Sequence, residues 1–104
     1  MELQYRLMRK SENRYRKTLA EIKDIIEEKG LKRKSRYPKL VAYRQKIAWI
    51  LSENYELPLK EVADLLGYTN HTTIIYSKKV VRNTTEKNNP LFFRYYTEIS
   101  DLLL

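Results

Sequence analysis

Four hydrogen-bonding side chains, Asn70-His71-Thr72-Thr73, stand together just after a glycine at position 67. Amide, imidazole and hydroxyl groups can bond to base edges in the major groove of DNA. A recognition helix enters that groove by its N-terminal turn, so such side chains must cluster there while apolar residues further along hold the helix on the core. The short amphipathic segment 59–66, the glycine and the polar opening together predict a DNA-binding helix-turn-helix.

The recognition helix is predicted to run from about His71 to Asn83. Helical spacing turns Ile74, Ser77 and Val81 inward. The same spacing leaves an outward set: His71, Thr72, Ile75, Tyr76, Lys79 and Arg82. From this set and the residue before it we expect four base contacts, with Ile75 suited to a thymine methyl group: Asn70, His71, Thr72 and Ile75. Asn70 has a second reading as an ordinary N-cap, because Asn is preferred wherever helices begin.

Positive charge is concentrated just upstream of this motif. Residues 31–46 contain seven Lys or Arg and no Asp or Glu, while the whole chain has a net charge of +8. A basic block without a compensating acid repels itself, and a polyanion such as a phosphate backbone would relieve that repulsion. The alternative is a solvated loop that only keeps the protein in solution. The block consists of Lys32, Arg33, Lys34, Arg36, Lys39, Arg44 and Lys46.

Composition argues against several other classes of function. The chain has no Cys and a single His, so the usual metal-ligand sets cannot be filled, and we expect no metal, no cofactor and no catalytic residue. No nucleophile motif is present, which predicts that the protein is not an enzyme. Neither a signal-peptide core nor a run of 18 apolar residues occurs. We therefore expect a soluble cytoplasmic protein, associated with the nucleoid and with no membrane contact.

The 104 residues suit one all-α domain. The N-terminal segment 1–30 is predicted to form a long amphipathic helix to about Lys29, followed by Gly30 in the left-handed conformation that ends it. The basic loop and helix-turn-helix occupy 31–83, with helices beginning near Pro38 and Pro58. A C-terminal helix that packs on the core follows over 84–104, beginning at Pro90. Its apolar stripe is predicted to comprise Leu91, Phe92, Tyr95, Ile99 and Leu102 or Leu103.

The stripe of the first helix permits two arrangements. It can cover the helix-turn-helix core, or it can pair with a second copy to form a homodimer, which would present two recognition helices to DNA. The stripe consists of Tyr5, Met8, Tyr15, Leu19, Ile22 and Ile26.

These motifs occur in an order that resembles the C-terminal DNA-binding domain of the bacterial replication initiator DnaA. The resemblance covers about residues 32–82 and rests on Arg44-Gln45, Leu59-Lys60-Glu61-Val62, Gly67 and Asn70-His71-Thr72-Thr73. It implies a helix-turn-helix with its His-Thr-Thr turn in a major groove and a basic-loop arginine in the adjacent minor groove. His71 and Thr72 would then touch base edges, and Thr73 a phosphate.

The minor-groove residue is Lys34 or Arg36, and we choose Arg36 because a guanidinium suits a narrow, negative groove. Phosphate or minor-groove contacts are expected from ten residues: Lys32, Arg33, Lys34, Arg36, Lys39, Arg44, Gln45, Lys46, Thr73 and Lys79. Two departures from the family matter. Asn70 replaces the usual Asp, so an amide that can pair with adenine replaces a carboxylate. The ATPase module is absent, because neither glycine lies in a P-loop.

The sequence thus predicts a sequence-preferring double-stranded DNA-binding protein, a replication or transcription accessory of a bacterium or mobile element. The alternative is a protein-interaction adaptor, in which the first or last helix docks on a replication or transcription protein and DNA affinity is incidental. The three leucines that end the chain favour the adaptor if they are exposed. Structured RNA fits less well, because the major groove of A-form RNA is too narrow for a helix.

Overall fold

The computed structural model of the protein describes residues 14–104. This range contains five α-helices, one 3-10 turn and no strand, which confirms the predicted all-α class. No helix in the described range is long and apolar enough to cross a membrane. The helices are α1 (Leu19–Glu28), α2 (Pro38–Glu53), α3 (Leu59–Leu65), α4 (Thr72–Asn83) and α5 (Pro90–Leu102), and the 3-10 turn is Leu31–Arg33.

Proline and glycine mark the helix boundaries as predicted. Pro38 and Pro90 are the first residues of α2 and α5, where a missing N–H costs nothing. Gly30 follows the end of α1 with φ at 65°, and Gly67 follows α3 with φ at 77°. Both backbones are left-handed, a conformation that glycine adopts without strain.

The N-terminal helix is shorter than predicted. Residues 14–18 are not helical, so a continuous helix over 1–29 is wrong there, whereas residues 1–13, including Tyr5 and Met8, lie outside the described part. The cause is a capping box at Thr18, whose hydroxyl accepts from the Glu21 N–H at 3.1 Å while the Glu21 carboxylate accepts from the Thr18 N–H at 3.0 Å. This reciprocal pair starts a helix where it occurs. The Thr-x-x-Glu signal was present in the sequence and was missed.

The described part of the N-terminal stripe covers the core of its own chain. Tyr15 is 8% exposed and Ile22 and Ile26 are each 1% exposed, whereas Leu19, which was predicted to lie on the same stripe, is 37% exposed, so that placement is wrong. The Tyr15 hydroxyl also hydrogen-bonds to the Ser100 hydroxyl at 2.6 Å, which ties the segment before α1 to α5. Side chains buried in this way are not accessible to a second copy. The described part of the stripe therefore takes the first of the two predicted arrangements, and the homodimer through the N-terminal helix stays a prediction.

Helix α2 is the centre of the core and packs on both α4 and α5. Its Ile47 and Leu51 are fully buried, and burial of each such side chain stabilises the fold by about 1.5–3 kcal/mol. Trp49 is half-buried and packs against both apolar clusters of the protein, so it belongs to the core as expected.

Helix α5 packs on the core, but its buried side differs from the predicted stripe. Tyr96 and Ile99 are buried and Leu103 is fully buried, whereas Leu91 is 43% and Leu102 44% exposed. The buried side is rotated toward Tyr96, whose hydroxyl donates to Gln45 Oε1 at 2.7 Å. Placing Leu91 on the inward side is therefore wrong, because a tyrosine with an internal partner takes that side.

The helix-turn-helix is formed by α3, Gly67 and α4. Val62 and Leu66 are buried, with Leu59 and Leu65 half-buried beside them. The three residues of α4 that were expected to face inward are all buried: Ile74, Ser77 and Val81. These placements confirm the predicted inward sides of both helices.

Candidate nucleic-acid interface

The start of α4 exposes the predicted base-reading residues. Asn70 Oδ1 accepts from the Thr72 N–H at 2.8 Å, and His71 is the residue immediately before the helix. Asn70, His71 and Thr72 are exposed and Thr73 is half-buried. The Asn70 side chain thus fixes the turn, while its amide Nδ2 has no partner among residues 14–104. One lone pair of Oδ1 is already used, so bidentate pairing of Asn70 with adenine would have to share that oxygen with the backbone.

Beyond this turn, an exposed stripe runs along the side of α4 that faces away from the core. Ile75 is 50% and Tyr76 62% exposed, and Lys79 and Arg82 are also exposed. Tyr76 was predicted to face outward but was not included among the contact residues. Its position one helical turn beyond Thr72 was the signal that could have included it. A phenol at that place can both pack against a sugar or thymine methyl and donate a hydrogen bond.

The basic block does not present all its charges to solvent. Lys34 Nζ donates to the Leu66 carbonyl at 2.6 Å and to the Lys32 carbonyl at 3.1 Å, and it lies 4.1 Å from the ring centroid of Tyr68. Desolvation, followed by repulsion from Arg44 and Lys32, holds the pKa of the Lys34 ammonium below its usual value. The charge of Lys34 is therefore committed to the end of α3 and the turn that follows.

Arg44 is directed inward in the same region. It is 7% exposed; its Nε donates to the Tyr68 hydroxyl at 3.1 Å and its Nη2 to the Ser35 carbonyl at 2.8 Å. Its Nη1 is buried without a hydrogen-bond partner in the described structure. In this arrangement Arg44 offers no group to an external phosphate. It joins the basic loop to the helix-turn-helix turn and is best described as a positioning residue.

Tyr68 is the central residue of this network, and no role was predicted for it from the sequence. Its ring lies against the Lys34 ammonium and its hydroxyl accepts from Arg44. The available signal was the lack of any acid in residues 31–46, because buried cations without carboxylates must turn to carbonyls and aromatic rings.

Gly67 lets the basic loop approach the turn closely. A Cβ at this position would lie 3.1 Å from Lys34 Nζ and 3.4 Å from Lys32 Cγ. The loop therefore packs directly on the turn that leads into α4. The exposed loop cations and the polar start of α4 consequently belong to neighbouring elements.

Gln45 and Lys46 turn away from that region, although they were grouped with the phosphate contacts. Gln45 accepts from Tyr96 of α5. Lys46 lines a cavity of about 220 Å³ together with Arg14, Val81 and Thr84. Burial, with a smaller contribution from Arg14, lowers the pKa of Lys46. Since α4 is about 18 Å long, Lys46 and His71 lie near opposite ends of that helix.

Four cations of the block remain as candidates for external contacts. Lys32, Arg33 and Arg36 are exposed, and Lys39 is half-buried with its Nζ 6.0 Å from the ring centroid of Tyr43. Of the two alternatives for the minor groove, Lys34 has internal partners, whereas Arg36 has none among residues 14–104. This geometry favours Arg36, which was the residue chosen from the sequence.

No protein-family model, curated protein or solved structure matches this chain. The resemblance to the initiator's DNA-binding domain therefore stays a prediction from the motifs quoted above.

Proposed function

We propose that this protein is a sequence-preferring double-stranded DNA-binding protein that acts on the nucleoid as a replication or transcription accessory. The observation that carries the proposal is the exposed polar start of α4 beside a basic loop that is bonded to the preceding turn. His71, Thr72 and Ile75 are exposed there, and Lys34 and Arg44 fix the loop from inside. A rigid polar helix start next to solvent-exposed cations suits a major groove and its flanking phosphates.

Base discrimination in this proposal comes from the first turn of α4. His71 and Thr72 contact base edges, and Ile75 packs on a thymine methyl group. Asn70 has its Oδ1 engaged with the Thr72 N–H, so it contributes its Nδ2 amide group as a donor to an acceptor such as a purine N7 or a thymine O4. The preferred site should therefore differ from that of a helix-turn-helix in which an Asp precedes His-Thr-Thr.

Affinity in this proposal comes from the basic loop. Arg36 enters the minor groove next to the major-groove site, and Lys32, Arg33, Lys39, Thr73 and Lys79 contact phosphates. Contacts of this kind release counterions, so binding should weaken steeply as salt rises.

The test is a binding-site selection on random duplex DNA at two salt concentrations. The wild type is compared with His71→Ala/Thr72→Ala and with the control Lys23→Ala/Glu27→Ala. The control pair lies exposed on α1, and its loss leaves the net charge unchanged. We expect an enriched motif for the wild type and the control that the α4 variant loses. Loss of one base contact should cost about 1–3 kcal/mol at its base position.

A protein-interaction adaptor is the second candidate function, and the exposure of Leu102 and Leu104 at 44% each favours it. Leu103 between them is fully buried, so only part of the leucine run is free. If no motif emerged and all three proteins bound DNA equally in a salt-steep way, the basic loop would be a nonspecific clamp. That outcome would contradict base readout and support the adaptor.

A further inference from the structure

The side of α5 that faces away from α2 combines charged residues with exposed apolar ones. Arg94, Thr97 and Asp101 lie along its middle and are exposed. The apolar residues lie along its two edges and are 37–44% exposed: Leu91 and Leu102 on one edge, Phe93 and Leu104 on the other. These seven residues are called the α5 outer face below; Glu98, exposed among them, accepts from the Tyr43 hydroxyl of α2 at 3.0 Å. Single exposed apolar residues are ordinary, but four on one helix side indicate a contact surface.

Neither Arg94 nor Asp101 is neutralised within the described residues. Among residues 14–104, Arg94 and Asp101 form no ion pair, and the one ion pair of that range joins Lys78 to Glu53. Thr97 donates its hydroxyl proton to the Phe93 carbonyl of the same helix. Within residues 14–104 the face therefore has one unpaired cation, Arg94, toward its N-terminal end and one unpaired anion, Asp101, toward its C-terminal end.

From this pattern we propose that the α5 outer face binds a second copy of this chain, with the two α5 helices antiparallel about a two-fold axis between positions 97 and 98. Reversing the helix about that axis brings Arg94 of each copy level with Asp101 of the other. Two intermolecular ion pairs then form symmetrically, as an isologous interface requires.

The apolar edges match in the same register. With a rise of about 1.5 Å per residue, Leu91 lies within about 3 Å of the level of the partner copy's Leu102, and Phe93 within about 3 Å of its Leu104. Both separations are within the reach of these side chains. Leu104 lies beyond the last residue of α5, in a final turn that its N–H closes by donating to the Asp101 carbonyl at 3.2 Å.

A shallow depression at the N-terminal half of α5 provides a binding site for the second copy. It measures about 590 Å³ and is lined by Glu86, Pro90, Leu91, Phe93, Arg94 and Thr97. The antiparallel register brings the C-terminal leucines of the partner copy to this depression. Apolar side chains thus meet an apolar lining, with the ion pairs beside them.

This dimer would be weak by itself, because one face of a 13-residue helix is far smaller than a standard stable interface. We expect a dissociation constant of about 0.1–1 mM. The α5 outer face shares no residue with the basic loop or α4, so two DNA-binding surfaces could work together on one duplex. The dimer does not depend on the proposed function and can be tested without DNA.

The test is sedimentation equilibrium of the full chain over a concentration range that reaches millimolar. The variants are Arg94→Asp, Asp101→Arg and the double exchange Arg94→Asp/Asp101→Arg. We expect concentration-dependent dimerisation of the wild type and a weakening of about tenfold or more in each single variant, because two attractions become two repulsions. The double exchange restores both pairs and should return association to the wild-type level.

Lys23→Asp is the control, since it reverses an exposed charge on α1 with the same change in net charge as Arg94→Asp. It should leave association unchanged, and circular dichroism should show intact helices in every variant. A wild type that stays monomeric at millimolar concentration would overturn the proposal. The proposal would also be overturned if the double exchange failed to regain association. A control variant Lys23→Asp that associated as weakly as Arg94→Asp would overturn it as well.

Discussion

Two sides of α2 meet different environments, although the residues involved are adjacent in sequence. On the side of the helix-turn-helix, Arg44 donates to Ser35 and Tyr68 and so holds the basic loop on the turn before α4. On the side of α5, Gln45 accepts from the Tyr96 hydroxyl, and Tyr43 donates to Glu98 at 3.0 Å. The first side is cationic without a carboxylate, whereas the second is aromatic and includes the carboxylate of Glu98.

This contrast shows how the fold retains positive charge near its candidate DNA surface. Arg44 and Lys34 are partnered by carbonyl oxygens, a phenol oxygen and an aromatic ring, none of which cancels a charge. The α5 side places a carboxylate beside its buried phenol instead. A positive potential therefore persists around the loop, as a phosphate-binding surface needs.

The largest effect is expected from Arg44→Ala, which removes the link between loop and turn. Two hydrogen bonds from a charged donor are lost, the Ser35 carbonyl and Tyr68 hydroxyl lose their partner, and a cavity remains. We expect the free energy of unfolding to fall by about 3 kcal/mol, measured by urea denaturation.

Arg36→Ala is the matched control for this prediction, because it removes an exposed arginine of the same basic block. Its effect on the free energy of unfolding should stay within about 0.5 kcal/mol. Equal stability of Arg44→Ala and Arg36→Ala would contradict the distinction between an internal and an external arginine.

The same pair of residues shows how far the sequence could predict the site. Local rules of spacing and capping predicted that α2 and α5 begin at Pro38 and Pro90. The same rules predicted the turn at Gly67 and the inward side of α4. The inward direction of Arg44 did not, because its partner Tyr68 is 24 residues away and only the packing of α2 against the turn brings the two together. Charge counting therefore identified the basic block but could not divide it into internal and external cations.

An intermediate effect is expected on the affinity for DNA when Arg36 is replaced. Arg36→Ala should weaken binding to the selected site by about tenfold at physiological salt and reduce its preference for A·T pairs next to that site. Arg36→Lys keeps the charge but loses the planar guanidinium. Compared with Arg36→Ala, it should therefore regain more of the binding affinity than of the preference for flanking A·T pairs. Binding assays on the selected duplex and on a variant with G·C flanks measure both quantities.

Lys23→Ala is the control for this experiment, because it removes one exposed positive charge on α1. It should leave both the affinity and the flank preference near wild type. Wild-type binding by Arg36→Ala would remove the basic loop from the proposed interface and leave α4 as its single recognition element.

The smallest effect is expected on the α5 side of α2, where Tyr43 should make stability depend on pH. Desolvation, with the bond to Glu98 as the next cause, raises the pKa of Tyr43 from 10.0 to about 12. The folded state then holds this proton more tightly than the unfolded state, so the contribution is fully present below pH 10 and is lost as pH rises toward 12. Urea denaturation across that range should show the stability advantage of the wild type over Tyr43→Phe shrinking. Tyr37→Phe, at a tyrosine that is 64% exposed, should show no such trend, and a constant difference for Tyr43→Phe would contradict the assignment.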